Sequence, residues 1–318
     1  MNKETGPVGR FAPTPSGRMH LGNALCSLIA WLSVRQAGGR MILRIEDLDT
    51  ERSNFTFSRE IEQELCWLGL DWDEGGTDAD GHRYCQSHRT AIYDVYFEKL
   101  REKGLLYPCF CSRAELHAAS APHRSDGRFI YEGRCRNLTP EQIEEKSRVR
   151  LPAWRVRVPD REIRFVDLHY GEYVENLVQD CGDFVVRRAD GVYAYQLAVS
   201  VDDARMGVTE VVRGNDLLSS SPRQIWLHEL FGFPVPRYGH IPLLLAPDGR
   251  RLSKRDGDID IETLSTKFTP EEIVGMLAFS SGMIEKYEPV KAQELIETFS
   301  WEKIRREDVC LPQMIFER

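Results

Sequence analysis

The run Arg10-Phe11-Ala12-Pro13-Thr14-Pro15-Ser16-Gly17-Arg18-Met19-His20-Leu21-Gly22-Asn23 constrains this chain more than any other stretch. Val8 to Phe11, at its start, is apolar enough for a buried strand. After it, Leu25, Leu28, Ile29, Leu32 and Val34 recur at helical spacing, so a helix is expected to start near His20. A turn rich in Pro, Ser and Gly joins the two. Strand, tight turn and helix N-terminus place backbone N–H groups and a positive dipole end against an anion. His20 stands where the helix opens and can donate to a phosphate oxygen. Gly22 has no side chain to keep a nucleotide from the backbone.

The rest of the first third repeats this alternation. Met41 to Ile45 reads as a second buried strand, ending in Arg44-Ile45-Glu46-Asp47-Leu48-Asp49. Charged residues at the C-terminal end of a strand suit ligand contact in an open α/β sheet. Phe57 to Leu68 reads as a helix, Gln86 to Lys103 as another and Tyr107 to Cys111 as a third strand. The expected fold is therefore α/β, with a doubly wound parallel sheet. A length of 318 residues suggests about two domains.

Cys109-x-Cys111 opens a polar, loop-rich segment that runs to Cys135. Two cysteines one residue apart and a third downstream suggest a metal knuckle. Zinc takes four ligands, commonly Cys or His. Spacing leaves the fourth ligand open between His117, His123 and Tyr131. Cys26, Cys66, Cys85, Cys181 and Cys310 read instead as reduced thiols of a cytoplasmic protein. The N-terminal residues lack the apolar core of a signal peptide, and no apolar run approaches the ~20 residues of a membrane helix. The net charge of −8 does not by itself favour a nucleic-acid binder.

From Thr139-Pro140-Glu141-Gln142 a capped helix is expected, then short β segments around Trp154–Val158, Ile163–Leu168 and Glu172–Val178. Asp183 to Arg188, Asp190-Gly191 and Val192 to Tyr195 read as a hairpin. Gln196 to Asp203 is expected to return to the main sheet. Val208 to Arg213 is the next strand, and Ile241 to Ala246 the last. A guanidinium at the end of a buried strand, as at Arg213, suits a carboxylate bidentately. Arg250-Arg251-Leu252-Ser253-Lys254-Arg255 is a basic loop that can neutralise charge building on a triphosphate. Two or three helices are expected beyond it, including Thr269–Phe279 and Pro289–Phe299.

These motifs resemble the class I aminoacyl-tRNA synthetases of the glutamyl branch. Arg10 to Asn23 matches their first signature, with Thr14 for the usual Ser and Met19 for the usual Leu. Arg44-Ile45-Glu46-Asp47-Leu48-Asp49 and Tyr195 to Asp203 match runs of that branch. Arg251-Leu252-Ser253-Lys254-Arg255 matches the second signature in a degenerate form, with Arg251 in place of its first lysine. The resemblance implies ATP-dependent activation of L-glutamate, with ATP and Mg²⁺ as substrate. It implies that His20 and Lys254 are catalytic and that His20, Gly22, Asn23 and Lys254 hold ATP. Arg10, Phe11, Ala12, Pro13, Thr14, Glu46, Tyr195 and Arg213 would hold glutamate, Glu46 at the α-amino group and Arg213 at the γ-carboxylate. One structural zinc would be held by Cys109, Cys111, Tyr131 and Cys135.

The implied organisation is a Rossmann-like catalytic domain split into residues 1–108 and 183–247. An inserted zinc-containing α+β subdomain occupies 109–182, and the basic loop with a small helical region occupies 248–318. No anticodon-binding domain is expected. The likeness is greatest to truncated, stand-alone members of the branch, which transfer glutamate to the queuosine base of tRNA(Asp). The expected protein is a cytoplasmic monomer with no membrane partner. Two other readings are a minimal enzyme charging the 3′ end of tRNA(Glu) and a catalytically silent zinc-containing module.

Overall fold

A computed structural model describes residues 6–112, 115, 130–250, 252 and 260–311. The first third contains β1 (Val8–Phe11), α1 (Leu21–Gln36), β2 (Arg40–Leu43), α2 (Phe55–Trp67), β3 (Glu74–Gly75), α3 (Thr90–Glu102) and β4 (Leu106–Cys109). The middle adds α4 (Pro140–Ser147), β5 (Ala153–Val156), β6 (Glu162–Asp167), β7 (Gly171–Asn176) and β8 (Phe184–Arg187). The remainder holds α5 (Tyr195–Arg205), β9 (Glu210–Gly214), α6 (Ser221–Phe231), β10 (Arg237–Ile241), β11 (Leu244–Leu245), α7 (Ile261–Ser265), α8 (Pro270–Ser281) and β12 (Val309–Cys310).

The sheet that carries the site is parallel. β1 pairs with β2, β2 with β3, and β9 with β10. At the base of the two halves Thr209 joins them. Its N–H donates to Val8 O at 2.9 Å, and its hydroxyl accepts from Val8 N–H at 2.9 Å. Further up, Val212 O accepts from the Arg10 guanidinium rather than from a strand N–H. The sheet is therefore open between β1 and β9 at its C-terminal edge. A gap of this kind is where open α/β sheets bind ligands.

Helix α1 fills the space beneath the gap. It buries Leu25, Leu28, Ile29 and Leu32, as their spacing requires. The same apolar core takes Ile261, Leu264, Ile273, Leu277, Leu295 and Phe299 from the last part of the chain. A second core lies under β5, β8, α3 and α5. In the middle of the chain β4, β5 and β8 form an antiparallel sheet, and β6 and β7 a hairpin. Thr139 caps α4 with Gln142, as its sequence predicts.

Four local expectations are corrected. Gln196 to Asp203 is helical within α5, not a strand. Its apolar residues Leu197, Ala198 and Val201 meet the core at a helical interval, and this outweighs the β-branched valines. After Asp190-Gly191 the hairpin is reduced to one bridge between Arg187 and Tyr193, because α5 already begins at Tyr195. The final strand breaks at Pro242, which has no N–H to give. Leu243 N–H turns to Asp308 instead, and β11 pairs with β12. Pro289 to Phe299 forms no α-helix beyond the 3₁₀ turn Ala292–Leu295. Gln36 captures the carbonyls of Ile296 and Phe299 at 3.0 and 2.7 Å.

The open sheet buries charge. Arg44, at the end of β2, donates to Asp203 of α5 at 2.7 Å and to Glu46 at 3.0 Å. Arg10 of β1 lies 3.7 Å from the same Asp203 oxygen. Burial alone would raise the Asp203 carboxyl, but the two arginines hold it below the usual carboxylate range. Replacing Asp203 by Asn leaves two buried guanidinium groups short of their shared counter-ion. We expect a loss of about 3–5 kcal/mol in unfolding free energy, measured by urea denaturation. A loss below about 1 kcal/mol would show that the network does not hold the halves together.

Candidate active site

A cleft of about 530 Å³ opens at the gap. Arg10, Phe11, Ala12, Pro13, Thr14, His20, Gly22, Asn23, Glu46, Tyr195 and Arg213 all line it. Lys254 lies outside the described residues. The segment just before it reaches the cleft at Leu252. The segment after it is tied down at Asp260, which bridges to His20, and at Ile261, whose N–H donates to Met19 O at 2.9 Å. Arg18 reinforces that anchor through ion pairs with Asp260, Glu262 and Glu60.

His20 is the N-cap of α1. Its Nδ1 accepts from Asn23 N–H at 3.3 Å, and Asn23 Oδ1 accepts from His20 N–H at 3.4 Å. With Nδ1 accepting, the proton of a neutral ring resides on Nε2. A cap of this kind fixes the imidazole at the positive end of the helix dipole. Gly22 has a second use here. A Cβ at this position would lie 3.0 Å from His20 Cε1, so a side chain here would crowd the imidazole.

Glu46 follows β2 and is held by Arg44. Burial raises its pKa, against the opposing pull of Arg44 and Arg10. Arg44 binds one of its oxygens at 3.0 Å, and the residue lines the cleft. Such a group favours an incoming cation that restores its charge.

Arg213 ends β9 at 4% exposure. Its Nε donates to His240 Nε2 at 3.0 Å, its Nη1 to Gln224 Oε1 at 2.8 Å and to Tyr195 Oη at 3.4 Å, and its Nη2 to Ser221 Oγ at 2.8 Å. These partners are neutral, and no ion pair joins Arg213 to a carboxylate of the described residues. A buried guanidinium so oriented and left without a counter-charge is a receptor for an anion. Sequence reading missed the groups that hold it. Gln224 and Ser221 come from α6, and Gln224 is itself oriented by Gln196 at 2.9 Å. His240, an isolated histidine in β10, gave one signal: a polar residue at a strand position otherwise apolar. Likewise Asp203, in the Asp202-Asp203 pair, was visible as acid but not as a partner of Arg10 and Arg44.

The cysteines meet at the end of β4. The sulfurs of Cys109, Cys111 and Cys135 lie within 4.8 Å of one another, with Cys111 and Cys135 at 3.7 Å. Four ligands at ~2.3 Å from a tetrahedral ion lie roughly 3.8 Å apart, so the spacing suits a metal. Tyr131 Oη is 3.4 Å from Cys109 Sγ and 3.9 Å from Cys111 Sγ, and it accepts from Cys135 N–H at 2.9 Å. Burial would raise the Cys109 thiol, but Tyr131, a backbone N–H and Arg155 hold it below its usual value. His117 and His123 lie outside the described residues. Reduced protein titrated with Co²⁺ is expected to develop thiolate-to-metal absorption that Cys135→Ser weakens. Absence of that absorption would show that the cluster holds no metal.

Comparison with known proteins follows the same lines. The family model for class I tRNA synthetases (E and Q), catalytic domain, matches residues 8–310. A glutamyl-Q tRNA(Asp) synthetase of Symbiobacterium thermophilum is 51% identical over 96% of this chain and 95% of that protein. A glutamate–tRNA ligase 2 of Coxiella burnetii is 41% identical over 94% of this chain but only 65% of that protein. Among solved structures, a glutamate tRNA ligase from Elizabethkingia meningosepticum, in complex with its amino acid, superposes with a TM-score of 0.80. It is 29% identical, and the match covers 98% of this chain and 68% of that one.

Proposed function

This chain belongs to the class I tRNA synthetases of the E and Q type, and from that premise we propose that it activates L-glutamate with ATP and transfers it to the queuosine base of tRNA(Asp). The observation that carries the amino-acid side of this reading is Arg213. A buried guanidinium held by neutral partners suits the γ-carboxylate of glutamate, whereas glutamine offers the same shape without the charge. The near-full-length relatives named glutamyl-Q tRNA(Asp) synthetase support the acceptor. No described helix is long and apolar enough to cross a membrane. The enzyme acts as a cytoplasmic monomer on glutamate, ATP and RNA.

The first step needs no protein base. The α-carboxylate of glutamate is already an anion, and one of its oxygens attacks the α-phosphorus of ATP. The bond to the leaving pyrophosphate breaks, giving glutamyl-adenylate. Such chemistry depends on positioning and charge stabilisation. ATP enters with Mg²⁺. His20 Nε2–H, the opening of α1 and Lys254 meet the phosphates, while Gly22 and Asn23 shape the nucleotide side of the cleft. Arg10, Thr14 and Tyr195 orient glutamate, with Phe11, Ala12 and Pro13 as walls, Glu46 at its ammonium and Arg213 at its γ-carboxylate. A hydroxyl of the modified base then attacks the carbonyl of the mixed anhydride and releases AMP. Cys109, Cys111, Cys135 and Tyr131 would hold a structural zinc at the end of β4.

The acceptor is tested by following radiolabelled glutamate on tRNA pools with and without queuosine. Base-labile label on the anticodon fragment of tRNA(Asp), present only in the queuosine-containing pool, is the expected result. Label on the 3′-terminal adenosine would favour tRNA(Glu) charging, the activity named for the Coxiella relative. No glutamate-dependent ATP–pyrophosphate exchange would favour a silent module.

Glu46 also predicts a pH dependence. It must be ionised to hold an ammonium group, and burial raises its pKa. The KM for glutamate should therefore climb as pH falls, and should begin to do so above the ordinary glutamate value of ~4.3. The Glu46→Gln variant is expected to show a high KM without that acid limb, in pyrophosphate exchange.

A further inference from the structure

Behind Arg213 stands a second residue pair that no part of the mechanism above uses. His240 Nε2 accepts from Arg213 Nε at 3.0 Å, and its Nδ1–H faces Asp167 Oδ2 at 2.6 Å. Both His240 and Asp167 are buried. Asp167 does not belong to the sheet that bears Arg213. It ends β6 of the inserted hairpin, and its other oxygen accepts the N–H groups of His169 at 3.0 Å, Tyr170 at 2.9 Å and His240 at 3.3 Å. The carboxylate is thus rigidly aimed. It can only accept, so the proton of a neutral imidazole must sit on Nδ1, and Nε2 must present its lone pair. Burial and the neighbouring Arg213 favour the neutral ring, against the pull of Asp167.

We infer that Asp167 sets the tautomer of His240 and thereby positions the Arg213 guanidinium that distinguishes glutamate from glutamine. This rests on Arg213 meeting the substrate carboxylate. Arg213 Nε is fixed by His240, and its two Nη groups by Gln224, Tyr195 and Ser221. Without an acceptor at His240 the guanidinium plane loses its one contact on the Nε edge and rotates about the bonds that aim it. The inserted hairpin therefore acts on amino-acid selection from behind the pocket, through two positioning residues, Asp167 and His240.

Asp167→Asn separates tautomer control from hairpin folding. The Asn oxygen keeps the three backbone N–H groups, so its NH₂ must replace Oδ2 against His240. The ring then accepts at Nδ1, its proton moves to Nε2, and a donor faces the Arg213 Nε–H. In pyrophosphate exchange the KM for glutamate should rise about 10- to 100-fold, and preference for glutamate over glutamine should fall by a similar factor. The KM for ATP should stay within about threefold, and kcat at saturating glutamate should change less than KM does. His240→Phe should behave in the same way. His240→Gln keeps an acceptor near the Nε2 position and should recover much of the loss, which distinguishes positioning from packing even if Asp167→Asn fails to fold.

Arg213→Gln serves as the control. If that variant keeps the wild-type KM and preference, the reading of Arg213 itself is wrong. If it loses them while Asp167→Asn, or His240→Phe, keeps both, the tautomer inference alone is overturned. A fall in kcat and in ATP affinity that His240→Gln does not repair would likewise reject it.

Discussion

Asp203 is the point on which the site depends. Its carboxylate, buried in α5, faces Arg44 from β2 and Arg10 from β1. The start of the chain, through β1 and the end of β2, is thereby tied to a helix that follows β8. The sheet is open between β1 and β9, and an opening in a sheet leaves strand carbonyls and polar side chains without ladder partners. Here Arg10 answers both needs. It donates to the carbonyl of Val212 and shares the charge of Asp203. Glu46 then takes its place at the cleft because Arg44 grips it from beneath. This wall of the cleft is a buried ion network.

The opposite wall follows a different rule. Arg213 is surrounded by acceptors that carry no charge, so its own charge stays available. The two walls are complementary: a carboxylate of raised pKa on one side and, on the other, a guanidinium with no ion pair among the described residues. An amino acid with a second acidic group fits this pair at both ends. Between them, the N-capped His20 lines the cleft at the positive end of the α1 dipole.

The basic loop shows how remote parts of the chain are recruited. The residues after it return to the first signature through Asp260 and Ile261, and Arg18 pairs with acids from both α2 and α7. The last helices pack on α1 as part of its own core. Leu252 and the residues from Asp260 onward thus share a hydrophobic floor with α1.

Read from sequence, β1, the start of α1 near His20 and the strand ending at Arg213 were legible, since each has a local cause: an apolar run, a helical period, or a charged end to an apolar run. The motifs also named the lining of the cleft, from Arg10 to Asn23, together with Glu46, Tyr195 and Arg213. Gln196 to Asp203 was expected to return to the main sheet, and the helical face formed by Leu197, Ala198 and Val201 is revealed only by the core. The grouping of Cys109, Cys111 and Cys135 was visible in their spacing, which left the fourth position open; the structure brings Tyr131 Oη to 3.4 Å from Cys109 Sγ. What tertiary structure alone decided was the partnership of groups far apart in the chain. Asp203 with Arg10 and Arg44, and Asp167 with His240 and Arg213, are joined across 27 to more than 190 residues. A local pattern specifies where a side chain points along its own element. Which charge or lone pair it will meet is settled only when separate elements are packed against one another, and in this protein that packing is what sets a buried guanidinium at a strand end among neutral partners.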